Sequence, residues 1–243
     1  MYKERPSAIG RIMTSPRSKS EKLSETCKTR IEEKFLEDKF GIKKEFWSKA
    51  TDKGTTEEPI SIELAVRQLG LFGAQKNEET FESDYLIGTP DIIYGDCVYD
   101  IKTPFSGSTF PFFETELPEK AYMYQVHGYM ELTGLRKAKI VYCLVDAPAN
   151  TINDEIRRQV WKMLPNPKYK DLSESEIEDI AEEKVLSQMT FGHIPDELKV
   201  RVFDVEYNPE TVKAIYSRID ECREYYKELE STINNRLKSK ANV

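Results

Sequence analysis

Cysteine is sparse and dispersed. Cys27, Cys97, Cys143 and Cys222 form no Cys-x-x-Cys pair and no cluster with the two histidines. That excludes the ligand spacings of zinc and iron–sulfur sites. Each cysteine is expected to act as a small buried hydrophobe in a reduced compartment. No apolar run approaches the roughly 20 residues that span a membrane. The stretch Met1–Arg30 is polar and charged throughout and carries no signal-peptide pattern. A soluble protein of the cytoplasm is the expectation, with no membrane partner. Internal repeats are absent. Net positive charge is also absent: the chain stands at −7, which argues against broad, non-specific coating of nucleic acid.

The charge is uneven, however. Residues 1–53 hold 14 Lys and Arg against 9 Asp and Glu, a surplus of five, and the remainder carries a deficit of twelve. Much of that deficit lies in Asp171–Glu183. The imbalance leaves room for a confined basic path leading to a carboxylate-rich centre whose bound cation would offset the acids. With 243 residues, 39% of them hydrophobic and 11% aromatic, the chain can bury one generous α/β core.

Pattern places the elements. Met1–Arg17 is a basic segment of weak helical character. Ser18–Phe40 reads as a helix, with Ser20 as cap, Leu23, Cys27, Ile31 and Phe35 as its stripe, and Gly41 beyond its end. Thr56–Leu69 reads as a second helix with Pro59 in its first turn. Glu58 falls in line with Ile62, Ala65/Val66 and Leu69, so it is the acid expected to point inward; Glu63 falls on the outer face with Arg67. After a β region starting at Phe81 comes an aromatic loop, Thr103–Glu116. A third helix, Pro118–Thr133, sets Gln125 on the face of Ala121, Tyr129 and Leu132, where a buried amide needs a partner. Lys137–Asp146 reads as a buried strand. Residues 150–198 read as an acidic helical insertion on the rim. Val200–Tyr207 follows as a strand, Pro209–Leu237 as a long helix, and Lys238–Val243 as a disordered tail. His127, His193, Trp47 and Trp161 are expected to play packing or loop roles. The order α, α, β-hairpin, α, β predicts a single α/β domain, an α+β sandwich, over residues 1–243.

The most informative stretch is Tyr85–Pro104. Gly95-Asp96 between two runs of β-formers reads as a type II′ hairpin turn, with Gly95 at positive φ. Counting outward pairs Tyr94 with Cys97, Ile93 with Val98, Ile92 with Tyr99 and Asp91 with Asp100. Two carboxylates then oppose one another on one face, joined by Lys102 two residues past Asp100. Like charges directly opposite are destabilising. The register therefore calls for a compensating cation, and a divalent metal held by oxygen ligands is the candidate.

Pro90-Asp91, eight residues, then Asp100-Ile101-Lys102 resembles the signature of the PD-(D/E)xK nuclease superfamily. Glu58 upstream, in Gly54-x-x-x-Glu58-Pro59, and Ala121–Val126 with Gln125 downstream make the order similar to the lambda-exonuclease-like, YqaJ-like branch of viral recombination nucleases. The resemblance covers about residues 1–147 and resumes at Val200–Ser231. It implies a restriction-endonuclease-like core, a central mixed β-sheet flanked by helices. It further implies a Mg²⁺-dependent DNA exonuclease, with Mn²⁺ able to substitute, that processes duplex ends 5′ to 3′ for phage-type recombination. On this resemblance Glu58, Asp91, Asp100 and the Ile101 carbonyl hold metal, Lys102 orients or activates the attacking water, and Gln125 supports the water or the lysine. Ser7 and Thr89 match positions that hold a 5′-phosphate, with Arg5 or Arg11 in the place of the family's pocket arginine. The implied partners are double-stranded DNA ends, a single-strand annealing protein and two further copies in a ring-shaped homotrimer.

Two other readings compete: an endonuclease of restriction or junction-resolving type, and a non-catalytic DNA-end-binding module. The presence of Glu58, Asp91, Asp100, Lys102 and Gln125 together weighs against the latter, because a degenerate site has usually lost one of them.

Overall fold

The computed structural model describes residues 2–44 and 49–241; Trp47 lies outside them. The chain starts with a 3-10 turn, Pro6–Ala8, and a one-turn helix α1 (Ile9–Ile12). Helices α2 (Glu25–Phe40) and α3 (Lys49–Leu69) follow. A two-stranded ribbon, β1 (Phe81–Glu82) with β2 (Ile87–Gly88), precedes the hairpin of β3 (Ile92–Tyr94) and β4 (Cys97–Lys102). Then come α4 (Lys120–Thr133), β5 (Lys137–Cys143), α5 (Ala149–Met163), α6 (Glu174–Met189), β6 (Val200–Glu206) and α7 (Pro209–Ala241).

The main sheet has the order β3-β4-β5-β6. Its central pair β4/β5 is parallel, and both outer pairings are antiparallel. α4 is the crossover between the two parallel strands, as a parallel pair requires. One face of the sheet, through Tyr99, Ile101, Val141 and Cys143, packs on Ile62, Leu64 and Ala65 of α3. The other face, through Val98, Ile140, Tyr142 and Phe203, packs on Val126, Tyr129 and Met130 of α4. The alternation along β4 therefore sends Asp100 and Lys102 toward α4 and Ile101 toward α3. A third apolar cluster joins Ile9 and Ile12 of α1 to Cys27 and Ile31 of α2 and Ile215, Ile219 and Cys222 of α7. α1 presses so closely on α4 that a Cβ on Gly10 would stand 2.5 Å from the Cβ of Ala121; only glycine permits this approach.

Several expectations need correction. α2 begins at Glu25, because Ser24 rather than Ser20 accepts the Cys27 N–H at 3.0 Å. α3 begins before Thr56 and carries Pro59 in its interior, on its exposed side. The run Tyr85–Tyr94 is two elements, broken at Thr89-Pro90-Asp91, since proline gives no ladder donor. Trp161 is 78% exposed, not packed. α7 runs on to Ala241, past the expected end at Leu237. The N-terminal segment is more buried than its charge suggests. Glu4 is fully buried and takes two hydrogen bonds from Arg30, at 2.6 and 3.2 Å, and one from the Tyr2 hydroxyl at 2.6 Å.

The hairpin itself follows the counted register for Tyr94–Cys97, Ile93–Val98 and Ile92–Tyr99. Gly95 has φ +60°, and no residue other than glycine has positive φ among those described. One left-handed residue followed by an ordinary one is the type II′ pattern and excludes type I′.

Candidate active site

The carboxyl end of β4 opens into a cleft of about 750 Å³. Glu58 of α3, Asp91 ahead of β3, Asp100, Ile101 and Lys102 of β4, and Gln125 of α4 all line it, with Ser7 at its edge. Helices α3 and α4, strand β4 and the segment ahead of β3 thus bring together residues that are far apart in sequence.

The expected fourth pair of the hairpin does not form. Asp91 has left the strand, and its Oδ2 instead accepts the backbone N–H of Ile101 at 2.7 Å. The two carboxylates still act on one another. Desolvation first, and the Asp100 charge second, push Asp91 up to about 7, with Glu58 adding to the rise and Ile101 and Lys102 opposing it. Asp100 is completely buried; burial pushes its carboxyl above the ordinary range, against the pull of Lys102.

Lys102 and Gln125 form a closed set with Asp100. Gln125 Nε2 donates to Asp100 Oδ1 at 2.8 Å, and Lys102 Nζ donates to Gln125 Oε1 at 3.1 Å. Lys102 Nζ also lies 2.7 Å from Asp100 Oδ2 as an ion pair. That ammonium is the one group that answers Asp100 Oδ2, which is buried and has no other donor among the described residues. The Lys102 ammonium further sits 4.3 Å from the centre of the Tyr122 ring. Burial disfavours this cation, but Asp100 and Asp91 outweigh burial and hold its pKa above the usual lysine value. The inward amide expected on α4 has therefore found its partners.

Glu58 and Glu57 face different ways. Glu57 is the more buried, 8% exposed, and lines a separate hollow with Leu144, Val145 and Asp146. Glu58 is half-buried, lines the cleft, and is held at its rim by Lys76 Nζ at 2.9 Å.

The 5′-phosphate candidates are not gathered in one place. Ser7 lies at the cleft. Thr89 bonds the Thr80 hydroxyl at 2.9 Å on the outer ribbon. Arg5 is exposed and pairs with Glu37 at 3.4 Å, and Arg11 pairs with Glu33 at 2.7 Å. His127 is buried between the Met123 carbonyl, 2.7 Å from Nδ1, and the Asn208 N–H, which donates to Nε2 at 3.1 Å. That is a structural neutral imidazole, as expected. His193 is exposed.

The residues present fit a hard divalent cation. Asp91 and Asp100 are crowded like charges, Asp100 Oδ2 is buried with no donor but the Lys102 ammonium, and every candidate ligand atom is oxygen. Among the described residues no three acidic, His or Cys side chains close into a finished cage, and Glu58 would exchange Lys76 for the ion.

A crystal structure of a phage-related exonuclease from Haemophilus somnus 129PT matches the whole architecture. It is 26% identical, covers 96% of each chain and has a TM-score of 0.72. The chain has the lambda-exonuclease-like fold. The same fold is present in an alkaline exonuclease from Laribacter hongkongensis, 15% identical over 99% of this chain and 94% of that one, with a TM-score of 0.62. The complex of that enzyme with dAMP matches equally well, at 16% identity. No family model and no curated protein matches the chain. The four-stranded mixed sheet between α3 and α4 is the restriction-endonuclease-like core of this fold. No helix among the described residues is long and apolar enough to cross a membrane.

Proposed function

We propose that the chain is a Mg²⁺-dependent DNA exonuclease that hydrolyses phosphodiester bonds at duplex ends, acting 5′ to 3′ in phage-type recombination. One observation carries the reading: Asp91, Asp100, Lys102 and Gln125 meet in one cleft of a fold that a phage-related exonuclease also has. The dAMP bound to the alkaline exonuclease of the same fold supports a nucleotide-sized product.

Asp91, Asp100 and the Ile101 carbonyl would hold the ion, with Glu58 from the rim. When bound, a divalent ion offsets phosphodiester charge and acidifies a water. The protein's own contribution is positional. Gln125 fixes Lys102 and Asp100 together. Lys102, held cationic, stands beside the carboxylates, where it stabilises the charge that develops on the phosphate and orients the attacking water. A cation held there would offset the burial and the Asp100 repulsion that together raise the Asp91 pKa.

Digestion of 5′-phosphorylated linear, 5′-hydroxyl linear and closed circular duplex, each with Mg²⁺, tests the reading. Loss of linear duplex with circular duplex intact is expected, and preference for the 5′-phosphorylated end marks the polarity. Cleavage of circular duplex at a similar rate would replace it with an endonuclease. A mixture of a single-strand annealing protein with this chain, and its mass in solution, test the implied partner and the trimer.

A further inference from the structure

Lys53 of α3 is fully buried, an unusual place for a lysine. Its Nζ donates to the Val145 carbonyl at 2.8 Å and to the Phe105 carbonyl at 3.3 Å. These acceptors lie just beyond the ends of β5 and β4. The ladder joining that parallel pair stops at Lys102 and Tyr142, and Lys53 bridges the two chains where they have parted. Phe105 also lines the cleft, with Thr103 and Pro104 leading to it from Lys102. Glu58 lies five residues further along the same helix as Lys53.

Burying an ammonium opposes folding. Burial holds Lys53 down to about 8, against the opposing charges of Glu57 and Asp146. A methionine would fill similar space without that cost, so packing gives no reason for the amine. Two carbonyls require only two N–H groups, which the amine has in either protonation state.

We propose that Lys53 is a positioning residue: it pins the helix that brings Glu58 to the chain leaving the strand that brings Asp100 and Lys102. The role rests on the nuclease reading for its catalytic consequence, but the clamp itself is a property of the fold. Through it one side chain sets the spacing between the rim acid and the buried pair, without touching the reacting atoms.

The test compares wild type with Lys53→Met and with Lys53→Met/Glu57→Gln. The double variant also removes the buried carboxylate left without its cation, which guards the fold. Two readouts are taken. The first is amide hydrogen exchange across residues 103–106, expected to rise at least about tenfold in both variants while the centre of β4 is unchanged. The second is Mg²⁺-dependent degradation of linear duplex, with kcat expected to fall about 10- to 100-fold and KM for ends to stay within about twofold. Wild-type exchange in a folded variant overturns the clamp. Raised exchange with wild-type kcat, or a loss confined to KM, overturns the positioning role. Failure of both variants to fold also overturns it, making Lys53 a stability residue. An inactive wild type would defeat the nuclease reading instead, and the exchange result would still decide the clamp.

Discussion

Asp91 reaches past the end of its own strand to accept the Ile101 N–H at 2.7 Å. The residue that heads the hairpin thereby fixes the backbone of a residue that lines the cleft. It does so while carrying a charge that its surroundings disfavour, and the first prediction follows from that tension. In the unfolded chain Asp91 ionises at its ordinary value near 3.8, and in the folded protein at about 7. Between those values the folded state binds the extra proton, so the metal-free protein loses stability as pH rises from about 4 to about 7 and levels off above. Asp91→Asn keeps an oxygen for Ile101 and removes the charge. Denaturant unfolding in chelator should show it more stable than wild type by roughly 1–3 kcal/mol at pH 8, with no difference near pH 3.5. Its nuclease activity should be lost.

Gln125 is the joint between Asp100 and Lys102. Gln125→Ala leaves a fully buried carboxylate oxygen without its donor, which costs about 1–3 kcal/mol. Chemical unfolding at pH 7 should show that loss. Single-turnover kinetics should show about a 10- to 100-fold slower chemical step, because Lys102 is no longer held in place.

The Tyr122 ring provides a face for the Lys102 ammonium at 4.3 Å. A desolvated contact of this kind is worth about 2 kcal/mol. Tyr122→Phe keeps the ring and should retain activity within about twofold. Tyr122→Leu should lose about tenfold in kcat with little change in KM for duplex ends. Equal activities for the Phe and Leu variants would show that the ring face has no part in holding Lys102.

Much of this centre is legible from sequence because the hairpin is local. Gly95-Asp96 determines a turn, the turn determines register, and register places Asp100 and Lys102 on one face. The register fails at Asp91 alone, where Pro90 stops the strand and the side chain takes the ladder's place. Helix periodicity finds Gln125 and puts Glu58 on the cleft side. It misses that Glu57 is the deeper acid. A residue near the helix's cleft end is buried by whatever packs on it from elsewhere, here the chain after β5, and a single helix's pattern contains no trace of that. Lys53 escapes for the same reason: a lysine in a charged stretch gives no local sign that its amine ends on two carbonyls 52 and 92 residues away. The buried Glu4–Arg30 pair, in a segment that reads as a basic surface, is a third case.

The central claim is that Asp91, Asp100 and Lys102 form a metal-dependent hydrolytic centre at the end of β4. The most direct measurement is degradation of 5′-phosphorylated linear duplex across a Mg²⁺ titration by wild type, Asp100→Asn and Lys102→Ala, each shown to be folded by circular dichroism. The account predicts Mg²⁺-dependent loss of duplex by wild type alone, with both variants slower by at least about 1,000-fold. Wild-type degradation that persists in chelator, or an Asp100→Asn protein that degrades duplex as fast as wild type, would contradict it.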